Sequence, residues 1–169
     1  MSKIRLSPIK DTDYHSVQNM WSDLKQCKLI SASPSFPSLL QVSQELSTKN
    51  SSSRGRIGLY TLDQDRFIGY TTYTIYLNNP LWYEIGISLL PDAKGNGYGT
   101  QSINLLIDYL TSFYKAEAFF ASVRSSNKSA LNLFNSLDFL EYGSFTIPSC
   151  FDNDDTSFVF LYKSSDQLT

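Results

Sequence analysis

The chain has 169 residues, of which 41% are hydrophobic and 14% aromatic, and a net charge of -2. That composition excludes a disordered chain, and the absence of a Lys/Arg run excludes a nucleic-acid-binding stripe. No apolar run reaches the roughly 18 residues of a membrane helix, so no nucleic-acid and no membrane partner is expected, and the length fits a single domain over 1–169.

Residues 4–9 (IRLSPI) alternate and predict a short opening strand. Asp11 or Asp13 can cap the helix that follows, where Val17, Met20, Trp21 and Leu24 form one stripe at helical spacing. A Ser/Pro loop over 28–38 leads to a second helix from about Ser38 to Leu46. The polar stretch 47–55 reads as a mobile loop. Two strand-like runs, 56–62 and 66–77, form a hairpin around Asp63-Gln64-Asp65. A further strand over 81–90 is stopped by Pro91. From Thr100, the residues Ile103, Leu106, Ile107, Leu110 and Phe113 repeat as a helix. A strand over 118–123, a short helix after Asn127 and closing strands over 139–145 and 156–163 complete the chain. The order predicts an α/β (α+β) fold: one mixed, mostly antiparallel sheet of six to seven strands flanked by about four helices. The strand–turn–helix–strand over 81–123 is its parallel unit.

The two cysteines, Cys27 and Cys150, lie far apart and outside any metal-ligand spacing. Two reduced thiols, no metal and a cytoplasmic protein are expected. The first residues, MSKIRLSPIKD, lack a signal-peptide core. His15, the only histidine, reads as a structural residue of the first helix.

The segment Lys94-Gly95-Asn96-Gly97-Tyr98-Gly99-Thr100 stands out. Glycines at alternate positions let the backbone take positive φ and approach a ligand closely. The first N–H groups of the following helix, with its macrodipole, favour an anion such as a pyrophosphate, and Lys94 adds a cation at the mouth. The dinucleotide pattern GxGxxG fails because Thr100 holds the third glycine's place, and no GxxxxGK[ST] pattern occurs.

On these residues the chain resembles the GNAT superfamily of N-acetyltransferases. EIGISLLPDAKGNGYGTQSINLLIDYL is similar to that family's acetyl-CoA segment, with Lys94 in place of the usual Arg or Gln. NKSALNLFNSLDF is similar to its second motif. The layout resembles the branch holding ribosomal-protein-alanine and spermidine acetyltransferases. The resemblance implies the GNAT fold and transfer of an acetyl group from acetyl-CoA to a primary amine, by direct attack in a ternary complex. It implies that Ile87, Ser88 and Leu89 offer backbone groups to the pantetheine arm. The Leu89 N–H would polarise the thioester carbonyl. The amides of Gly95 to Thr100 would hold the pyrophosphate, and Asn127 would contact the cofactor near its thiol end as well as cap its helix. A homodimer is a common assembly among similar enzymes.

An alkyl amine has a pKa of about 10, so about 4 kcal/mol stands between its cation and its nucleophilic form at neutral pH. Glu84, ten residues before Lys94, is the candidate base. The family's usual acid, a tyrosine, is here Phe134, and Asp138 stands where a glycine is usual. A thiolate lies only about 1.5 pKa units above neutrality, so losing the acid slows turnover without abolishing it. Tyr142 or Ser129 is the candidate replacement. The same departure motivates a second reading, a GNAT-like module that binds acyl-CoA with reduced or no catalysis. The acceptor is left open between a protein N-terminus, a polyamine, an amino sugar and an antibiotic. Its pocket is expected from the 28–38 loop, the N-terminal helices and the 145–156 segment with Asp152, Asp154 and Asp155.

Overall fold

A computed structural model describes residues 3–30, 36–47, 50–78, 80–148 and 156–164. Cys150 and the acidic trio Asp152, Asp154 and Asp155 lie outside the described residues, as does part of the 28–38 loop. The elements run β1 (Ile4–Ser7), α1 (Tyr14–Ser22), α2 (Leu24–Ile30), α3 (Leu39–Leu46), β2 (Arg54–Thr61), β3 (Phe67–Asn78) and β4 (Leu81–Leu89). There follow α4 (Tyr98–Tyr114), β5 (Ala118–Arg124), α5 (Lys128–Asn135), β6 (Leu140–Ile147) and β7 (Thr156–Ser164). The strands form one seven-stranded sheet in the order β1-β2-β3-β4-β5-β7-β6. β4 and β5 run parallel across the α4 crossover, and the other pairs are antiparallel. This is the mixed, mostly antiparallel architecture the pattern predicts, with five α-helices among the described residues.

The extra helix comes from Asp23. Its ψ of 103° ends α1, and its carboxylate accepts from the N–H groups of Lys25 and Gln26, so the side chain caps a new helix. Leu24 therefore starts α2, not the α1 stripe, and is 51% exposed. Asp13 does not cap α1 through its side chain, which instead accepts from the Tyr60 hydroxyl. α3 begins where expected because Ser38 and Gln41 form a reciprocal capping box.

The core divides by face. Ile103, Leu106, Ile107 and Leu110 of α4 and Phe134 of α5 bury against Tyr83, Ile85, Phe119 and Ala121. Each such aliphatic side chain contributes about 2 kcal/mol of burial. Phe113 falls outside this stripe and is 72% exposed; the last turn of α4 carries it off the sheet, against Tyr109. On the opposite face α1 and α3 bring Val17, Met20 and Val42 onto Tyr60, Phe67 and Tyr70. The stretch read as a mobile loop is tied down at Ser51 and Ser52, whose carbonyls accept from the hydroxyls of Tyr73 and Tyr83.

Candidate functional site

The sheet opens in its middle. β4 and β5 pair at Trp82↔Ala118, Tyr83↔Phe119 and Glu84↔Phe120, and no further. β4 continues against β3 as far as Leu89↔Gly69. The Leu90 N–H donates to the Ile68 carbonyl, which sets the alternation: Gly86 and Ser88 turn their main chains to β3. Ile85, Ile87 and Leu89 then turn theirs to the gap. The same phase follows from the other edge, where the Glu117 N–H donates to the Leu81 carbonyl. Of the three residues expected to offer backbone groups, Ile87 and Leu89 turn their main chains to the gap, whereas Ser88 turns its main chain to β3.

A slot passes through this gap. About 210 Å³ of it is lined from one face by Ile87, Ala130 and Phe134 and from the other by Arg56, Gly86, Ser88 and Ser122. It adjoins a cavity of about 290 Å³ running from Ile87, Ser88 and Leu89 to Lys94, Gly95, Gly97, Gly99 and Thr100, with Asn127 and Leu133 on the wall. Asn127 and Ala130 border both spaces.

At the far end lies the glycine turn. Gly95 and Gly97 have φ of 78° and 74°, a region costing an L-residue about 1–2 kcal/mol. A Cβ on either would meet no atom within 4 Å, so the backbone there faces open space. Gly99 differs: its Cβ would press on Leu133 at 3.2 Å, which makes it a close-packing glycine. Gly97 caps α4 without any side-chain bond. The helix ladder starts with Gln101 N–H to the Gly97 carbonyl at 3.4 Å. The amides of Tyr98, Gly99 and Thr100 thus precede the first intrahelical bond of a 17-residue helix. Two members of the turn do not line the cavity. The Asn96 side chain folds back to donate to the Lys94 and Asp92 carbonyls, and Tyr98 packs beside Ile4 and Ala93.

The remaining predicted residues are spread more widely. Asn127 caps α5, accepting from the Ala130 N–H at 3.2 Å. Glu84 sits at the closed end of the gap, on the face away from α4, and accepts from the Ser122 hydroxyl at 2.8 Å. It borders an open hollow walled by Tyr76, Tyr142, Phe145 and Phe160, and Ser122 borders both hollow and slot. Glu84 and Leu89 are five residues apart on one strand, or about 16 Å, so they cannot both touch one reacting centre directly. Tyr142 is 78% exposed in that hollow, outside the slot. Ser129 lines the larger cavity. Phe134 is buried, edge-to-face on Phe139 with centroids 5.0 Å apart, and its ring forms slot wall. Asp138 takes a φ of 61° after α5, the conformation that favours glycine there, and buried Lys163 donates to the neighbouring Leu137 carbonyl. His15 is exposed and away from the slot.

Two residues escape the sequence reading. Gly69, opposite Leu89, has a φ of 145°, and a Cβ there would fall 2.2 Å from the Ser88 carbonyl oxygen. A glycine inside a strand was its only signal. Gln26 lines the cavity beside Ile87–Leu89; it falls between the Leu24 end of the predicted first helix and the loop predicted from residue 28, so α2 is not foreseen there. Among the described residues no group of three His, Cys, Asp or Glu can hold a metal, and no helix is long and apolar enough to cross a membrane.

A family model described as an acetyltransferase (GNAT) domain matches residues 3–140. No curated protein matches the chain. Among solved structures, a spermidine N-acetyltransferase from Vibrio cholerae in complex with CoA and spermine superposes with a TM-score of 0.83 at 17% identity, covering 98% of both chains. An acetyltransferase of the GNAT family from Bacillus anthracis gives 0.82 at 16% identity, over 98% of this chain and 96% of that one. A dodecameric spermidine N-acetyltransferase from Vibrio cholerae gives 0.76 at 18% identity, over 99% and 97%. At such identities the likeness is one of fold.

Proposed function

The chain belongs to the acetyltransferase (GNAT) domain family, and from that premise we propose that it transfers an acetyl group from acetyl-CoA to a primary amine. The observation that carries this reading is the slot through the sheet, continuous at one end with the glycine turn. The residues fit the cofactor. Gly95 and Gly97 leave open space where a pyrophosphate would lie, and the α4 amides and Lys94 supply donors and charge. The main-chain groups of Ile87 and Leu89 face the gap where a pantetheine arm would add the missing strand. Asn127 holds the wall between cavity and slot. Acetyl-CoA supplies the activated acyl group; the protein orients it and manages protons.

In this proposal the Leu89 N–H polarises the thioester carbonyl. Glu84 accepts the amine proton through water along Ser122, because 16 Å of strand forbids direct contact. The acceptor enters from the face of α1–α3. A small-molecule or peptide amine suits that mouth, and a homodimer is the proposed assembly. Cys27, buried and outside any disulfide, is in keeping with the proposed cytoplasmic setting. The buried Phe134 ring favours a second reading, an acyl-CoA-binding module with little turnover, because the slot holds no phenol at that position.

The experiment is acetyl-CoA binding by calorimetry, then thiol release over an amine panel. Gly97→Trp fills the space before the turn and should abolish binding. Wild-type affinity in that variant would remove the site. Binding without turnover on any amine would favour the module.

A further inference from the structure

Arg56 lines both the slot and a separate cavity of about 530 Å³ beside α3. Strand register puts Arg56 of β2, Thr72 of β3 and Gly86 of β4 in one row across the sheet. The row ends at β4, the strand that borders the gap. A Cβ at Gly86 would meet only the Thr72 hydroxyl oxygen, at 2.7 Å, so the floor beside the gap is otherwise open. Read toward the gap, the row offers a cation, a hydroxyl and free space. The cation is fixed in place. Its guanidinium carbon lies 4.7 Å from the Trp21 ring centroid and 5.3 Å from that of Tyr70. The Trp21 indole N–H donates to the Tyr70 hydroxyl at 2.8 Å, which ties the two rings together.

The protein leaves much of that cation unused. Nη1 donates to Glu45 Oε1 at 2.9 Å, and the Glu45 side chain is 57% exposed, so the pair is weak and screened by salt. Nε is buried without a partner, and Nη2 forms no hydrogen bond among the described residues. Arg54 adds a second cation to the cavity beside α3. Such a wall repels an acceptor that brings a second ammonium group and holds one that brings an anionic oxygen. The main chains of Arg56 and Gly86 are two strand spacings apart, about 10 Å, and the arginine side chain reaches inward over Tyr70 of β3. The acceptor's amine and anion are therefore only a few bonds apart, as in an amino acid. Its side chain has room in the cavity beside α3, which Arg56 and Thr72 also border. Resting on the acetyl-transfer reading above, we infer that the acceptor is a free amino acid, its carboxylate held by Arg56 and its amine over Gly86 at the gap. The amine nitrogen bonds to the acetyl carbon as the C–S bond breaks. An N-acetylamino acid leaves, and the amine's proton ends on the CoA thiol. A peptide N-terminus, an amino sugar and a polyamine all lack the carboxylate beside the amine.

The test measures thiol release with L-amino acids, each paired with its carboxamide, and with spermidine. It uses the wild type, Arg56→Met and Arg56→Lys, with folding checked by thermal melting. In the wild type the best amino acid should exceed its amide about 10- to 100-fold in kcat/KM. The amide's amine is the less basic, so the supply of neutral nucleophile alone would favour the amide. Arg56→Met should bring acid and amide within about 2-fold, through a higher KM for the acid. Arg56→Lys keeps a charge without the planar head and should fall between. If Arg56 only ties α1 and α3 to the sheet, acid and amide fall together, their ratio stays, and the inference fails. A wild type that prefers spermidine or the amides overturns it too. Should Arg56→Met not fold, the wild-type ratio and its drop in Arg56→Lys decide. Should the wild type turn over no amine, the acetyl-transfer reading fails. Calorimetry of the same acid and amide pairs on the CoA-loaded protein then decides for Arg56 if binding is acid-selective and weakened in the variants, and against it otherwise.

Discussion

Replacing Gly69 by alanine tests whether the strand junction positions the site. The added Cβ would stand 2.2 Å from the Ser88 carbonyl oxygen and 2.9 Å from the Leu89 Cα. Both are backbone atoms, so no side chain can swing aside, and β4 must move by about 1 Å to restore contact distance. Overpacking of this kind costs about 1–3 kcal/mol, and holding alanine at a φ of 145° adds about 1–3 kcal/mol. A loss near 3 kcal/mol lowers Tm by about 6–12 °C in a chain of this size. The displaced residues carry the groups that face the gap, so turnover should fall by up to about 100-fold. Differential scanning fluorimetry and thiol release read the two effects. Gly143→Ala is the control, because its Cβ meets nothing within 4 Å. A Gly69→Ala protein with wild-type Tm and turnover would refute the reasoning.

Phe134→Tyr returns a hydroxyl to the slot wall and should raise kcat at neutral pH by up to about 10-fold. The gain should shrink as pH approaches the thiol pKa near 8.5, which a pH–rate profile checks. Glu84→Gln should lower kcat about 10- to 100-fold without changing acetyl-CoA affinity, as read by stopped assays and calorimetry; equal turnover would exclude it as a proton acceptor. Burial raises the phenol pKa of Tyr60, Tyr73 and, to about 12, Tyr109. The folded state keeps these protons when the unfolded chain releases them. Their stabilisation is therefore full below about pH 10 and is lost as pH rises through the folded values. Denaturant midpoints should hold to about pH 10 and fall above it.

Most of the fold was legible because it rests on local signals. Alternation marks β1, apolar and aromatic runs bounded by turn residues mark β2 to β5, and the 3.6-residue period places Ile103, Leu106, Ile107 and Leu110 on one side of α4. The failures have local causes too. Asp23 acts as a stop and a cap at once, and its spacing to Trp21 and Leu24 hid the break between α1 and α2. Tyrosine hydroxyls tie down a Ser-rich stretch whose composition suggested motion. In the site, the glycine turn was legible because positive φ leaves a mark in the sequence. The separation of Glu84 and Tyr142 from the slot was not, because it depends on which strands stay paired. Gln26 could be found only once α2 was seen to reach the gap.

β4 and β5 pair over just Trp82, Tyr83 and Glu84 among the described residues, beside the Glu117 N–H to Leu81 carbonyl bond at their start, and that junction also divides the sequence, with β1–β4 before it and β5–β7 after it. The opening that admits a ligand is therefore a seam in the folded sheet. The amides of Ile87 and Leu89 lack a strand neighbour on the gap side and should exchange hydrogen faster than those of Gly86 and Ser88. A molecule bridging the gap would hold the two halves together. Its binding energy would then appear as cooperativity of unfolding as well as a higher melting temperature.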